Sequence, residues 1–188
     1  MNFSNKILNK SQKLLSVDIF NTLLFRFSEQ VKTIFAEVGY RSLRNGCLNA
    51  AITPEEFALL RIRAEQDARN EQKARNGHRE VTLSGIYDLL PDSIGNKSQL
   101  QELEVSVECE YCYLNPDIYK VHEEAKSRNV PVVLTSDMYL DKVQLEKILS
   151  FNGFDLRLIK GINVSCEHNG DKSSGICLLY TSPSPRDS

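Results

Sequence analysis

The chain has 188 residues, of which 41% are hydrophobic and 26% are charged, and its formal charge is −2. This composition is typical of a soluble globular protein with one domain, or one domain carrying a subdomain, and it excludes disordered, collagen-like and coiled-coil chains. No apolar run approaches the roughly 20 residues of a membrane helix, and the N-terminus lacks the apolar segment of a secretory signal. We therefore expect a cytoplasmic protein without a membrane span, and its scattered, nearly balanced charges predict no nucleic-acid partner.

The sequence contains an odd number of cysteines with no disulfide framework pattern: Cys47, Cys109, Cys112, Cys166 and Cys177. Without an export signal, reduced thiols are expected. Cys109 and Cys112 have the spacing of a redox motif or of half a zinc site, but no second pair accompanies them and they lie in a helical pattern. We expect a structural role for both, on one face of a helix.

The last residues, 177–188, differ in character from the rest of the chain. They read CLLYTSPSPRDS and contain two of the six prolines. This segment resembles one reading frame of a sequencing adapter translated after a gene, although a genuine Ser/Pro tail is the alternative. We expect the natural sequence to end near Ile176 and exclude the tail from the predicted fold.

The predicted elements begin with an apolar run over residues 14–20, which favours a buried parallel strand that ends at or just after Asp18. Apolar residues then recur with helical spacing from Val31 to Val38, and this helix is expected to stop near Gly46.

A long charged helix follows, because Thr53 offers an N-cap, Pro54 a first helical residue and Glu56 the second half of a capping box. Its apolar stripe is thin, which predicts a helix lying over a surface and ending at about Arg75. Its arginines are expected to form a solvated face balanced by acidic neighbours. These arginines are Arg61, Arg63, Arg69 and Arg75.

The remaining patterns alternate between helix and strand. Helices are predicted over about 82–90, 98–113, 116–129 and 140–152, and strands over 131–137 and 156–164. A crossover between neighbouring parallel strands needs only a dozen or more residues, whereas a helical segment of about 90 residues and one further helix lie between the first two strands. The surplus predicts a helical subdomain inserted after the first strand of a shared parallel sheet.

Polar side chains stand where the predicted strands end. Asp18 ends the first strand, Thr135, Ser136 and Asp137 end the second, and a short loop leads from the third to Lys172. Ligands of open α/β sheets collect at the carboxyl ends of the strands, where these groups would converge. A carboxylate that attacks phosphorus, with hydroxyl and ammonium groups that hold the oxygens, suits phosphoryl transfer.

These motifs resemble those of the haloacid dehalogenase-like (HAD) hydrolase superfamily. The segment DIFNT, from Asp18 to Thr22, resembles the first motif, and Lys172 resembles the lysine of the third. The segment SDMYL, from Ser136 to Leu140, is similar to the second-motif region of a subgroup found beside, or fused to, glycosyltransferases of surface-polysaccharide synthesis. The helical segment between them is similar to the cap of that subgroup.

The resemblance implies a Rossmann-like parallel sheet with an inserted α-helical cap. By position it implies a core formed by residues 1–27 and 115–176, a cap formed by residues 28–114, and a non-native tail at 177–188. The sheet would be incomplete at its C-terminal side, since the chain would stop before the fourth motif.

The resemblance also implies roles for residues. Asp18 would be the nucleophile that forms an aspartyl-phosphate, Thr22 would support the loop, and Ser136, with Thr135 as the alternate, would hold a phosphoryl oxygen. Lys172 would balance charge between the nucleophile and the phosphate. Residues expected to contact the substrate are Thr135, Asp137 and Asn21.

A magnesium ion is implied by the same resemblance. Asp18, the backbone carbonyl of Phe20 and carboxylates of a fourth motif would bind Mg²⁺. That fourth motif is missing, and loss of a carboxylate weakens Mg²⁺ binding severely. We therefore expect the 188-residue chain to have an incomplete metal site and to be inactive.

Phe20 stands where phosphatases of the superfamily place an acid–base aspartate. Proton transfer contributes typically about 10²–10⁴-fold, so ordinary alkyl phosphate esters would suffer most and better leaving groups less. The leading prediction is a phosphatase of a small phosphorylated metabolite, with a sugar phosphate as the narrower candidate. Two alternatives stay open: a non-catalytic module attached to a glycosyltransferase, and a dehalogenase-type hydrolase, because dehalogenases also carry a non-acid at this position.

Overall fold

The computed structural model describes residues 13–28 and 30–167. Lys172 and the segment 177–188 therefore lie outside the described residues. The strands are β1 (Leu15–Asp18), β2 (Leu24–Arg26), β3 (Cys112–Leu114), β4 (Val132–Ser136) and β5 (Gly161–Val164). The helices are α1 (Val31–Arg44), α2 (Pro54–Asn76), α3 (Leu83–Asp88), α4 (Lys97–Tyr111), α5 (Pro116–Ser127) and α6 (Lys142–Phe151).

Three strands form the parallel sheet that the sequence predicted. Their order is β1-β4-β5, with β4 in the centre and wholly buried. A central parallel strand is covered on both faces, which explains why its sequence is an unbroken apolar run rather than an alternating one. The α/β fold class, with helices inserted between β1 and β4, is confirmed.

A second, antiparallel pair of strands stands at the two ends of the helical insertion. β2 pairs with β3, so that Leu24 faces Leu114 and Arg26 faces Cys112. Neither strand was predicted, because three-residue strands are too short to show an alternating pattern. The expectation that Cys109 and Cys112 share a helix is wrong: α4 ends at Tyr111 and Cys112 begins β3.

The helical cap is built on a close crossing of α1 and α2. A Cβ atom at Gly39 of α1 would lie 2.8 Å from the Cα of Pro54, so glycine permits the approach. The predicted capping box at the start of α2 is present, with Thr53 and Glu56 bonded reciprocally. Buried residues of the cap and the sheet belong to one apolar cluster. The division at 27/28 and 114/115 remains a prediction.

The predicted solvated face of α2 is wrong for Arg61. Its side chain is 0% exposed and forms a bidentate pair with Glu104 of α4. Arg63 and Arg75, at 82% and 74% side-chain exposure, do face solvent. Spacing within one helix does not reveal a carboxylate that a distant helix supplies.

Two predicted boundaries also differ from the structure. The last helix begins at Lys142 rather than Leu140, because Asp141 forms a capping box with Gln144. The predicted strand over 156–164 is a 3-10 turn at Leu156–Leu158 followed by β5. Among residues 13–28 and 30–167, no helix is both long and apolar enough to cross a membrane.

Candidate functional site

Asp18 lies at the carboxyl end of β1, beside the end of β4. In the parallel register Asp18 pairs with Thr135, and the amide of Ile19 donates to the Thr135 carbonyl at 2.9 Å. Adjacent strands are about 4.8 Å apart, so the two residues are direct neighbours. The side chain of Asp18 is half-buried, which leaves part of the carboxylate at the surface of this strand edge.

The backbone turns sharply after Asp18. The amide of Leu23 donates to the Ile19 carbonyl at 2.9 Å, and the amide of Leu24 donates to the same carbonyl at 2.7 Å. Asn21 occupies the left-handed region at φ 60°, which asparagine tolerates better than most side chains do. The turn exposes Asn21 and directs the chain into β2.

Asn115 holds this turn from the other end of the cap. Its backbone amide donates to the Leu23 carbonyl at 2.8 Å, and its side-chain Nδ2 donates to the Thr22 carbonyl at 3.0 Å. Its Oδ1 also accepts from the amide of Asp117 and caps α5. The sequence analysis missed this contact, since it joins residues that are far apart in the chain.

The two hydroxyls at the end of β4 differ in their contacts. Thr135 Oγ1 donates to the Val17 carbonyl at 3.5 Å, while Ser136 Oγ accepts from the amide of Met138 at 3.2 Å. The Ser136 hydroxyl thus fixes the start of the next loop as an acceptor, and no hydrogen bond among residues 13–28 and 30–167 uses its own proton. Asp137, the next residue, is exposed.

Phe20 is buried two residues after Asp18 and touches a charged group. The guanidinium of Arg26 lies 4.6 Å from the centre of its ring. Arg26 also forms a bidentate pair with Glu108, through Nε and Nη2 at 2.9 Å each. Burial opposes the charge of Arg26, but Glu108 outweighs it and raises the pKa of the guanidinium.

A second buried pair, Arg61 with Glu104, lies one helical turn away along α4. Tyr87 donates its hydroxyl to Glu104 at 2.7 Å, and the Tyr139 ring centre lies 4.7 Å from the Arg61 guanidinium. Burial opposes the charge of Arg61, but Glu104 raises its pKa overall. Burial raises the pKa of the Tyr139 hydroxyl, and Glu104 adds to that shift. Tyr139 follows Ser136 by three residues, so it joins the end of β4 to the cap.

The cap also contacts the carboxyl end of β5. Ser165 follows β5 and donates to a carboxylate oxygen of Glu80 at 2.6 Å, with both side chains buried. The amide of Leu83 donates to the carbonyl of Tyr139 at 2.8 Å. Residues after 167 are not described, so the approach of Lys172 to Asp18 stays a prediction.

A cavity of about 440 Å³ lies between the cap helices and the loop after β4. Arg26 of β2, Phe35 of α1 and Ile62 of α2 contribute to its walls, together with Met138 and Tyr139 of the loop. Ligand pockets of proteins commonly have volumes of about 300–1,000 Å³. Its size makes this cavity a candidate binding site between the cap and the loop after β4.

Metal-binding groups are few at this edge of the sheet. Within the described part of the chain, no three His, Cys, Asp or Glu side chains gather in an arrangement that could hold a metal ion. Asp18 and the carbonyl of Phe20 are the predicted ligands that the structure describes. One carboxylate and one carbonyl suit part of a magnesium shell, which usually includes several waters.

Three solved structures resemble this chain over most of its length. A dehalogenase aligns at 15% identity and a TM-score of 0.53, over 93% of this chain and 71% of its own. The L-2-haloacid dehalogenase of Xanthobacter autotrophicus aligns at 12% identity and a TM-score of 0.55, over 94% and 67%. The chain has the haloacid dehalogenase fold. A HAD family enzyme of Bacteroides thetaiotaomicron aligns at 12% identity and a TM-score of 0.53, over 92% and 77%.

Comparisons with protein-family models and with curated proteins give no match. At the identities of the structural neighbours, similarity supports the HAD fold and leaves the activity to be argued from the residues. The fold agrees with the resemblance drawn from the sequence motifs at Asp18 and Ser136. The glycosyltransferase-associated subgroup has no counterpart among these three structures.

Proposed function

We propose that this protein is a HAD-type hydrolase in which Asp18 is the nucleophile for a small anionic substrate with a good leaving group. One observation carries the proposal: Asp18 ends β1 directly beside Thr135, and Ser136 ends the adjacent strand. A carboxylate and hydroxyls at the carboxyl edge of a parallel sheet form the arrangement that covalent catalysis needs.

In the phosphatase version, an oxygen of Asp18 attacks phosphorus and the bond to the leaving group breaks. The resulting aspartyl-phosphate is then hydrolysed by water, which releases phosphate and restores the carboxylate. Ser136 suits the contact with a phosphoryl oxygen better than Thr135, because the Thr135 hydroxyl already donates to the Val17 carbonyl. Lys172 is proposed to complete the charge balance.

Phe20 determines which substrates the site would favour. An apolar ring replaces the acid that would protonate a poor leaving group, and proton transfer of this kind contributes typically about 10²–10⁴-fold. Acyl phosphates and anomeric sugar phosphates need less of this help. The proposals of a sugar phosphate as the substrate and of a glycosyltransferase as the partner rest on the motif resemblance alone.

Magnesium is proposed as the cofactor of the phosphatase version in the full-length gene product, held by Asp18, the Phe20 carbonyl and the carboxylates of a fourth motif. Bound Mg²⁺ would neutralise phosphate charge and orient the phosphoryl group. Asp18 would supply the attacking oxygen, and Ser136 would donate a hydrogen bond to the substrate.

A dehalogenase is the second candidate, and Phe20 favours it because this chemistry needs no acid at that position. Asp18 would attack carbon, halide would leave with the electrons of the carbon–halogen bond, and water would hydrolyse the ester to regenerate the carboxylate. Two of the similar structures are described as dehalogenases. This version requires no metal ion.

The test is turnover by the full-length gene product with acyl phosphates, sugar 1-phosphates and 2-haloalkanoates, with and without Mg²⁺. Phosphate release that stops on chelation identifies the phosphatase version. Halide release that persists in chelator identifies the dehalogenase version. Asp18→Asn is expected to abolish either activity, since an amide is a poor nucleophile.

Asp88→Asn is the matched control, because Asp88 is an exposed aspartate at the end of α3. It should retain full turnover. Unchanged turnover in Asp18→Asn would reject the nucleophile assignment. No turnover of any substrate, together with no retention of beryllium fluoride, would favour the non-catalytic module.

A further inference from the structure

A second cavity, of about 250 Å³, lies where the last turns of α2 and the short helix α3 meet the residues that follow β5. The segment from Glu80 to Thr82 also contributes to its walls, as does Cys166. None of its wall residues lines the cavity beside Arg26 and Met138. The two cavities are therefore formed by separate sets of side chains.

Glu80 is a buried carboxylate in the wall of this second cavity. It is 9% exposed, and its Oε2 accepts a hydrogen bond from Ser165 Oγ at 2.6 Å. Among residues 13–28 and 30–167, no hydrogen bond uses its Oε1 and no salt bridge involves its side chain. A buried charge without a counter-ion is costly, so a cation bound beside Glu80 would be stabilised.

Further negative charge surrounds the Cys166 thiol in the same wall. Burial is the main cause that raises the pKa of Cys166 to about 11, and three carboxylates add to the shift, those of Glu167, Glu80 and Asp141. Glu167 and Asp141 accept hydrogen bonds from backbone amides, which do not cancel a full charge. The electrostatic surroundings of this wall therefore favour a cation.

Arg75 is the only arginine or lysine among the described residues of the wall, and it is paired elsewhere. Its Nη2 lies 3.3 Å from an oxygen of Glu71, one helical turn earlier, and its side chain is 74% exposed. Such a pair on a helix surface is close to neutral. The carboxylate of Glu80 is thus left without compensation by the wall itself.

The rest of the wall combines apolar surface with neutral oxygen atoms. Val81 is buried and Leu89 is 41% exposed, while Thr82 and Gln72 carry side-chain oxygens. An ammonium group has three N–H donors and no acceptor, which matches a carboxylate flanked by neutral acceptors. No three metal-binding side chains gather within the described part of the chain, which favours an organic cation over a metal ion.

We propose that this cavity binds a small aliphatic primary amine, with its ammonium group on Glu80 Oε1 and its alkyl chain against Val81 and Leu89. The site goes beyond the proposed hydrolase activity and does not depend on it. Glu80 belongs to the cap and Ser165 follows β5, so a bound amine stabilises the contact between the cap and the sheet.

The experiment is an NMR titration of the 188-residue chain with butylammonium, followed at the backbone amides of Gly85 and Leu89. Two probes of similar size separate the contributions: 1-butanol has the chain without the charge, and tetramethylammonium has the charge without an N–H donor. Butylammonium should bind at least about tenfold more tightly than either, because charge-assisted hydrogen bonds are the strong ones. Equal affinity for tetramethylammonium, or no binding of butylammonium, would overturn the inference.

Glu80→Gln tests the carboxylate directly. Glutamine keeps an acceptor for Ser165 and loses the charge, so affinity for butylammonium should fall at least about tenfold. Glu55→Gln is the matched control, since it removes the same charge from an exposed position of α2 outside the cavity walls. An unchanged affinity in Glu80→Gln would reject the site.

Leu89→Ala tests the apolar wall. It should reduce the advantage of butylammonium over methylammonium at least about threefold and leave methylammonium unaffected, because only the longer chain contacts Leu89. Leu59→Ala, at an exposed position outside the cavity walls, is its control. A chain-length preference that survives Leu89→Ala would reject an aliphatic amine as the ligand.

Two further variants separate this site from the proposed hydrolase chemistry. Asp18→Asn should bind butylammonium as the unaltered chain does, so a failed nucleophile and a failed amine site give different results. The ammonium of Lys172, which lies outside the described residues, is the rival occupant. Binding that appears only in Lys172→Gln would identify that rival and overturn the inference.

Discussion

At the residue scale, the position of Asp18 depends on contacts that hold the turn after β1. Asn115 makes two of them, from its backbone amide to Leu23 and from Nδ2 to the Thr22 carbonyl. The same side chain caps α5 through Oδ1. One residue therefore ties the loop after Asp18 to the point where the chain returns from the cap to the sheet.

Asn115→Asp separates these two roles. Aspartate caps a helix as well as asparagine does, but it has no Nδ2 donor and places a carboxylate against the Thr22 carbonyl. We expect turnover of the full-length protein to fall about tenfold or more, because small displacements of reacting groups are costly. Steady-state kinetics would measure the loss. Asn96→Asp, at the N-cap of α4, is the control and should keep normal turnover.

His122 predicts a dependence of stability on pH. Its ring is 1% exposed, packs against Phe154, and has no hydrogen-bond partner on either nitrogen among the described residues. Burial lowers the pKa of His122 below 6.5. As pH falls through this range the unfolded chain binds a proton that the folded chain excludes, so stability present above pH 6.5 is lost.

His122→Phe should flatten this part of the pH profile, because phenylalanine has no proton to bind. Urea unfolding at pH 7.5 and pH 5.5 would measure the free energy of unfolding in both proteins. The difference between the two pH values should be smaller in the variant. An equal difference in both proteins would show that other groups carry the acid sensitivity.

At the element scale, α4 organises the cap through two carboxylates on one face. Glu104 and Glu108 are four residues apart, and each accepts a bidentate guanidinium from a different element, Arg61 of α2 and Arg26 of β2. Residues at this spacing lie on the same side of a helix. α4 is thereby fixed to both the second cap helix and the ribbon of β2 and β3.

Arg61→Met should destabilise the protein by about 3–5 kcal/mol, because it leaves Glu104 buried without its cation. Chemical denaturation would measure the change in the free energy of unfolding. Arg63→Met, on the exposed side of the same helix, should change stability by no more than about 0.5 kcal/mol. Similar losses in the two variants would contradict the buried pair.

The elements that could be predicted from the sequence carry local signals. The capping box at Thr53 and the apolar run of β4 are readable without knowing the rest of the fold. The position of Asp18 at a strand end could also be predicted from the sequence. The ribbon of β2 and β3 and the burial of Arg61 were not, because their partners come from residues distant in the chain.

The candidate site likewise has parts that could be predicted from the sequence and parts that could not. The sequence predicted that Asp18, Thr135 and Ser136 would meet, since parallel strands end at a common edge, and the register agrees. It did not predict Asn115, Arg26 or the cavity, which arise from packing between the cap and the sheet. The roles of these residues in catalysis stay proposals.

At the scale of the whole molecule, the cysteines behave as part of the core. Cys47, Cys109, Cys112 and Cys166 are buried and free of disulfides. Burial raises the pKa of Cys166 to about 11, and burial together with Glu108 raises that of Cys112 further. The thiolate is the reactive form of cysteine, so the raised pKa values protect Cys166 and Cys112 from reaction.

These four cysteines should resist iodoacetamide at pH 8 in the folded protein and react fully in urea. Peptide mass spectrometry would give the extent of labelling at each position. Labelling of Cys109 or Cys112 in the folded state as fast as in urea would contradict their structural role.

The pairing of β2 with β3 has a consequence for how such proteins diversify. Arg26 and Cys112 pair across the ribbon of β2 and β3, so the chain enters and leaves the helical insertion at adjacent positions. An exchange of everything between them for another helical segment would preserve both anchor strands. In the proposed hydrolase, such an exchange would change the groups that the cap presents, while the edge of the sheet that bears Asp18 would be kept.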